Sequence, residues 1–265
     1  MHGRAARMKR PARFEPAQPT DLDPRPVQLH PGAPLPPHTK CVARPTKWAR
    51  PQPNPPDWLS HAAAVVDYAV WIAARADLLS AARAELAGAD LACDCAPQMP
   101  CHRDVLLDLA NPPADPGVAG GRAVGVTVRR PWASLLLVPK GLGGNGIKIS
   151  SWSTDYRGPI CIYAGTGIVE AGVAAACTAG LDAEWHTRQQ GWLGAAVLVD
   201  VHRARPHCCR TVWPSRSSAP DRRLYHWVFT SPGRLALPTF GRGFIGLRPV
   251  SWSVLVRRLP AHIND

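Results

Sequence analysis

No window of this 265-residue chain holds the roughly 18 uninterrupted apolar residues of a membrane-crossing helix. The opening MHGRAARMKRPARF has no apolar run behind its basic residues, so a secretory leader is not expected either, and a cytoplasmic protein is. Cysteine is sparse: eight in the whole chain are too few for a disulfide scaffold, and none form the Cys-x-x-Cys pair of a redox motif. There is no internal repeat. Acidic residues are scarce in the second half, where residues 118–265 hold 18 Lys/Arg against 7 Asp/Glu, and Glu170 and Glu184 are the only glutamates. The first 117 residues are nearly balanced, at 13 against 12. Almost all of the net charge of +12 therefore lies in the second half, which predicts a polyanionic partner there.

What is present sets the organisation. The length predicts two domains, each able to bury a core. Residues 1–24 read as a basic, proline-rich tail, with Arg4, Arg7, Lys9, Arg10 and Arg13 and no acid in the first thirteen positions. Fourteen of the 29 prolines fall within residues 1–56, which denies regular helix there and leaves VQLHPG and KCVARP as the candidate strands. From Asp57 the spacing of Val65, Tyr68, Ala69 and Ile72 predicts helix, broken near Arg75 into two, with Ser60 as N-cap and Gly88 as stop. A short strand DLACDC then leads into a helix CHRDVLLDLAN. This first domain is expected over 25–112, with a linker over 113–122.

After the linker the texture is β-rich. GVTV, ASLLLV, ICIYAG, AAVLVDVH, HWVFT and SWSVLVRRL are short apolar or alternating runs between Gly/Pro turns, interrupted by the helical IVEAGVAAACTAG. A small barrel with a helix packed on it is predicted over 123–265.

Cys93, Cys95, Cys101 and His102 lie within ten positions, at the seam of the predicted strand and helix. Residues i and i+2 of a strand share a face, so all four side chains can converge at the strand's carboxyl end. The spacing is tighter than in structural zinc sites, and an adjacent Cys-His pair is a cramped chelator. The primary expectation is therefore no metal, with these residues not forming a closed four-ligand site; zinc on the four is the alternative. Small apolar filler is the plain reading of the cysteines. His102 at a helix N-terminus, with Arg44, Lys47 and Trp48 from VARPTKW, would suit a nucleotide-like ligand, phosphate on the helix end and base on the indole.

Two resemblances add to this. VARPTKWARP and LAGADLACDCAPQMPCHRDVLLDLAN resemble a family described as domain of unknown function 4326, which implies a small α/β unit. PWASLLLVPKG, GIK, WSTDYRGPICIYAG and YHWVFTSPGRLALPTFGRGFIGL, in that order across residues of about 124–256, resemble an ASCH domain of the PUA-like barrel superfamily. That resemblance implies that Lys148 of the Gly-x-Lys motif lines a cleft. In small bacterial relatives the equivalent lysine works with a hydroxyl and a carboxylate on the amide of acetylcytidine. Ser151 supplies a hydroxyl three positions on, and Trp152, Tyr156 and Arg157 would wall the cleft. GIKISSW reaches its tryptophan early, without the family's Glu and Arg, so binding is favoured over catalysis. Seven of the ten tryptophans lie in this half among its arginines; Trp132, Trp227 and Trp252 read as core.

The combined expectation is an α+β chain of two domains, a small α/β unit followed by a PUA-like barrel, binding RNA or a modified nucleotide and no membrane. The alternatives are an amidohydrolase or nuclease acting through Lys148 and Ser151, and a metal-stabilised interaction protein. Within the basic insertion HRARPHCCRTVWPSRSSAPDRR, His207, Cys208 and Cys209 are a weak metal signal.

Overall fold

The computed structural model describes residues 24–49, 57–96, 98–114, 121–205, 208–209 and 223–256. The basic tail, the centre of the linker, and most of the basic insertion, with His207 and Trp213, lie outside the described residues. No described helix is long and apolar enough to cross a membrane.

The first unit is a three-stranded parallel sheet with helices. Strand β1 (Pro26–Gln28) and strand β2 (Thr39–Cys41) flank a central β3 (Asp90–Cys93). Helix α1 (Trp58–Ala73) buries His61, Ala62, Val65, Val66, Tyr68, Ala69 and Ile72, the spacing of one helical face. Its cap is Asp57 instead of the expected Ser60: the carboxylate accepts from the Ser60 amide at 2.9 Å and the Ser60 hydroxyl at 2.6 Å. Arg75 breaks the helix as its sequence predicts, and α2 (Ala76–Glu85) follows. Gly88, at φ +70°, turns the chain back and donates its N–H to Asn111, while α3 (His102–Ala110) is capped by Cys101.

The second unit is a six-stranded sheet of β4 (Ala123–Arg130), β5 (Ile147–Ser150), β6 (Gly158–Ile168), β7 (Gly191–Arg203), β8 (Tyr225–Thr239) and β9 (Leu247–Val250). The order is β5-β8-β7-β6-β4-β9, with β4 and β6 parallel and the other neighbours antiparallel. Edge strands β5 and β9 do not pair with each other among the described residues, so the sheet is open and not the closed barrel expected.

Two runs that read as strands are not strands. PWASLLLV forms the short helix α4 (Trp132–Leu135), with Trp132 to Leu137 all buried; an apolar run covered on all sides carries no period to distinguish strand from helix. SWSVLV is a 3₁₀ turn, Trp252–Leu255, and the strand precedes it as β9. Helix α5 (Glu170–Thr178) lies within the predicted helical stretch, whereas α6 (Ala183–Arg188), too short for a periodic signal, was not expected.

The long sheet is covered on both faces. Along β6, Ile160, Ile162 and Ala164 join one core with α4 and α5, and the alternating Cys161 and Tyr163 join another with α1 and α3. That is why β6 is apolar at successive positions, a pattern expected of a strand buried on both sides. The apolar core thus crosses the expected domain boundary at 113–122, with α1 seated on β6, β7 and β8. Gly233 of β8 allows the seat: a Cβ there would meet Val66 Cγ1 at 2.8 Å and Val70 Cγ2 at 3.0 Å.

One buried carboxylate ties the units together. Asp108 of α3, 3% exposed, accepts from the Arg122 amide at 3.0 Å, Arg122 Nη1 at 3.1 Å and the Trp252 amide at 2.8 Å. Burial pushes its carboxyl above the ordinary range, against the pull of these donors. Asp108→Ala is expected to lower unfolding free energy by roughly 3 kcal/mol in urea titration, because two backbone donors and a guanidinium lose their acceptor. Gly233→Ala is expected to lower it by about 1–3 kcal/mol through overpacking against two stiff valines.

Candidate metal centre and lysine cleft

Cys93 ends the central strand, Cys95 follows in the turn, and Cys101 and His102 open α3. One ligand atom from each lies within 4.8 Å of all the others. Cys93 Sγ is 3.5 Å from Cys95 Sγ, and Cys101 Sγ is 3.7 Å from His102 Nδ1. Adjacency along the chain does not by itself keep the Cys101 and His102 ligand atoms apart. Cys101 is extended (φ −134°, ψ 142°) and His102 is the first helical residue, so the change of conformation between them turns both ligand atoms to one point.

The surroundings match what a thiolate-imidazole centre needs. His102 Nε2 lies 3.0 Å from the Val42 carbonyl; donating there fixes the tautomer that leaves Nδ1 free to bind. The Arg103 amide donates to Cys101 Sγ at 3.4 Å. Hydrogen bonds from Cys101 and then Cys93 hold the Cys95 thiol down at about 4, while Cys101, donor to its neighbours, is pushed up. All three cysteines are buried, so the filler reading covers their burial but not the convergence on an imidazole nitrogen. The arrangement could hold a metal ion.

The packing speaks against base stacking on Trp48, one part of the nucleotide reading of VARPTKW. Trp48 is 5% exposed with its carbonyl accepting from Tyr68 at 2.7 Å, so it has no free face for a base. Lys47 pairs with Glu85 at 2.6 Å, and Arg44 is exposed. Both ring nitrogens of His102 face protein groups, Cys101 Sγ and the Val42 carbonyl.

Lys148 sits on β5 opposite Trp227 of β8. Gly146, just before that strand, allows a close approach: its carbonyl accepts from the Phe229 amide at 2.6 Å, and a Cβ would lie 2.5 Å from the Phe229 carbonyl oxygen. The partly buried ammonium lies 4.7 Å from the Trp227 ring centre and 5.8 Å from that of Trp152, and no carboxylate among the described residues pairs with it. Burial, then the charge of Arg129, lowers its pKa to about 8.

Of the residues expected around Lys148, Trp152 alone is placed against it. Trp152 and Trp227 meet edge to face, centres 4.5 Å apart. Ser151 is exposed. Tyr156 donates to the Pro159 carbonyl, and Arg157 is spent on the Thr154, Tyr156 and Val201 carbonyls and on Asp200. A cavity of about 360 Å³ adjoins β5, lined by Lys140, Gly144, Asn145, Gly146, Ile147, Cys209 and Val228, so the neighbouring Ile147 and not Lys148 forms its wall. Trp132, Trp227 and Trp252 are core, as their apolar settings predict.

A second cluster was only half legible. Cys208 and Cys209 converge with His202 and His226, which sequence reasoning missed. The available signal was a histidine near the end of each of two consecutive predicted strands, AAVLVDVH and HWVFT, which a hairpin pairing places face to face.

His102→Ala is expected to cost about 1–3 kcal/mol of stability in urea titration, since the Val42 carbonyl loses the donor that joins β2 to α3.

Against known families, residues 27–112 match the model of a domain of unknown function (DUF4326), a span reaching from β1 to just past α3 and containing the first Cys/His cluster whole. No curated protein matches the chain.

Proposed function

We propose that the second unit is a PUA-like, ASCH-type module that binds RNA or a modified nucleotide at Lys148. The observation that carries this reading is a partly buried lysine with no carboxylate paired to it among the described residues, set against two indoles and beside Arg129. A cation in that setting is satisfied by a ligand's phosphate or carbonyl, and the partly buried Trp152 ring supplies an edge for a base. The surplus of basic residues in 118–265 supports an anionic ligand.

Catalysis is the weaker reading of the same site. A lysine with a pKa of about 8 has the ionisation of a general base. The ASCH-type hydrolysis also needs a hydroxyl and an acid; Ser151 is exposed, and no carboxylate pairs with Lys148 among the described residues.

In the first unit, the convergence of four ligand atoms favours a zinc ion held by Cys93, Cys95, Cys101 and His102 Nδ1. Such an ion would be a closed structural staple joining β3 to α3. This supports the metal-stabilised alternative for the first unit and leaves the binding reading of the second unaffected.

Lys148→Ala is expected to weaken binding of a short single-stranded RNA roughly ten- to hundredfold, the equivalent of one charged hydrogen bond of about 1.5–3 kcal/mol. The pH dependence has a definite sign. The charged form is the binding form, so affinity falls as pH rises through about 8, where an ordinary lysine would hold it to about 10.5. Stability moves the other way: the unfolded chain binds the extra proton between those values, so unfolding free energy rises with pH there. Fluorescence anisotropy of labelled RNA across this range, for wild type and Lys148→Ala, measures both effects; an affinity unaffected by the substitution would remove Lys148 from the site.

A further inference from the structure

His202 is the penultimate residue of β7 and His226 the second of β8, and the antiparallel register sets them directly opposite each other. Their ring centres are 5.5 Å apart. The chain leaving β7 brings Cys208 and Cys209 back onto the pair. Cys208 Sγ lies 3.4 Å from His202 Nε2 and 3.2 Å from His226 Nδ1, and Cys209 Sγ lies 3.4 Å from His202 Nε2.

We propose that His202, Cys208, Cys209 and His226 form a second metal centre, separate from the one in the first unit, that takes a zinc-class divalent ion as a Cys₂His₂ site. A tetrahedral ion with bonds of about 2.3 Å to sulfur and 2.0–2.1 Å to nitrogen sets its ligand atoms roughly 3.3–3.8 Å apart. Two of the three sulfur–nitrogen distances, both 3.4 Å, fall within that range, the third, 3.2 Å, lies just below it, and all four atoms lie within 4.8 Å of one another.

Two observations separate this cluster from cysteines used as filler. Cys208 is exposed and Cys209 only partly buried, so apolar burial does not account for two thiols on a histidine pair. Behind the ligands stands an orienting shell. Asp200 Oδ2 accepts from His202 Nδ1 at 2.5 Å, the carboxylate–histidine arrangement in which the neutral ring turns its Nε2 lone pair toward the thiols. Asp200 is in turn held by Arg157 at 3.7 Å, and the Arg205 amide donates to Cys208 Sγ at 3.4 Å.

Binding would proceed with loss of the two thiol protons to solvent, giving two thiolates and two neutral imidazoles on the ion. Four protein ligands close the shell, so the ion is structural: it fastens the start of the long β7–β8 connection to the sheet. Cys209 also lines the 360 Å³ cavity with Lys140 and Asn145, so the same ion fixes one wall of that cavity.

The test begins with metal content of the full-length chain purified without chelator. The wild type is expected to carry two zinc ions; His202→Ala/Cys208→Ser is expected to carry one fewer, with an unchanged circular dichroism spectrum. If the first-unit reading fails while this one holds, wild type carries one ion and the same variant none. An ion count untouched by that variant overturns the proposal. A measurement on unaltered protein guards against a folding defect. Alkylation of Cys208 and Cys209, followed by peptide mass spectrometry with exposed Cys177 as internal reference, is expected to accelerate at least tenfold when chelator is added. Equal rates with and without chelator also overturn it.

Discussion

The constraint on which the architecture depends is the burial of one sheet on both faces by elements from two parts of the chain. β6 and β7 have apolar side chains at successive positions, so neither face can be left to water. α4 and α5 cover one face from within the second unit, and α1 of the first covers the other. The Asp108 carboxylate fixes that docking, since it is the shared acceptor for the strand entering the sheet and the turn leaving it. An apolar seat is tolerant of sliding, whereas three converging hydrogen bonds to one buried group are not. The two units therefore behave as one packed body around a common core.

The two Cys/His clusters are variations on one geometric device. Each draws on the end of a strand and on the chain that meets it: the sheet carries one of the four residues, Cys93, in the first cluster and two, His202 and His226, in the second. They differ in exposure and in the shell behind them. The first is buried, with a backbone carbonyl behind its histidine; the second lies at the surface, with a carboxylate behind His202. A carboxylate makes imidazole a stronger donor to a metal than a neutral carbonyl does, which suits a site with fewer thiols. Lys148 belongs to neither cluster. It sits on the edge strand β5 against two indoles, with no carboxylate paired to it among the described residues.

Local chemistry was legible in the sequence wherever neighbours along the chain decide the structure. The break at Arg75, the strand that ends in Cys93 and the helix opened by His102 all follow from capping or periodicity within a few residues. So did the core placement of Trp132, Trp227 and Trp252. Where the decision lay in packing, local rules misled. Pro131-Trp132 opens a buried helix although its apolar run also fits a strand, and Trp48 is core although its basic neighbours suggested a stacking platform.

By itself the sequence determined the separation into an α/β and a β-rich part, the polarity of charge between them, and the first Cys/His cluster, because its four ligands lie within ten positions and a single strand-to-helix turn carries them. Only the tertiary structure decided that the sheet is open among the described residues, that α1 serves the second unit's core, and that His202 and His226 face each other above Cys208 and Cys209. The reason is register. Which residue of β8 stands opposite His202 depends on three irregularities along the β7–β8 ladder, and a shift of one position would turn His226 to the other face of the sheet.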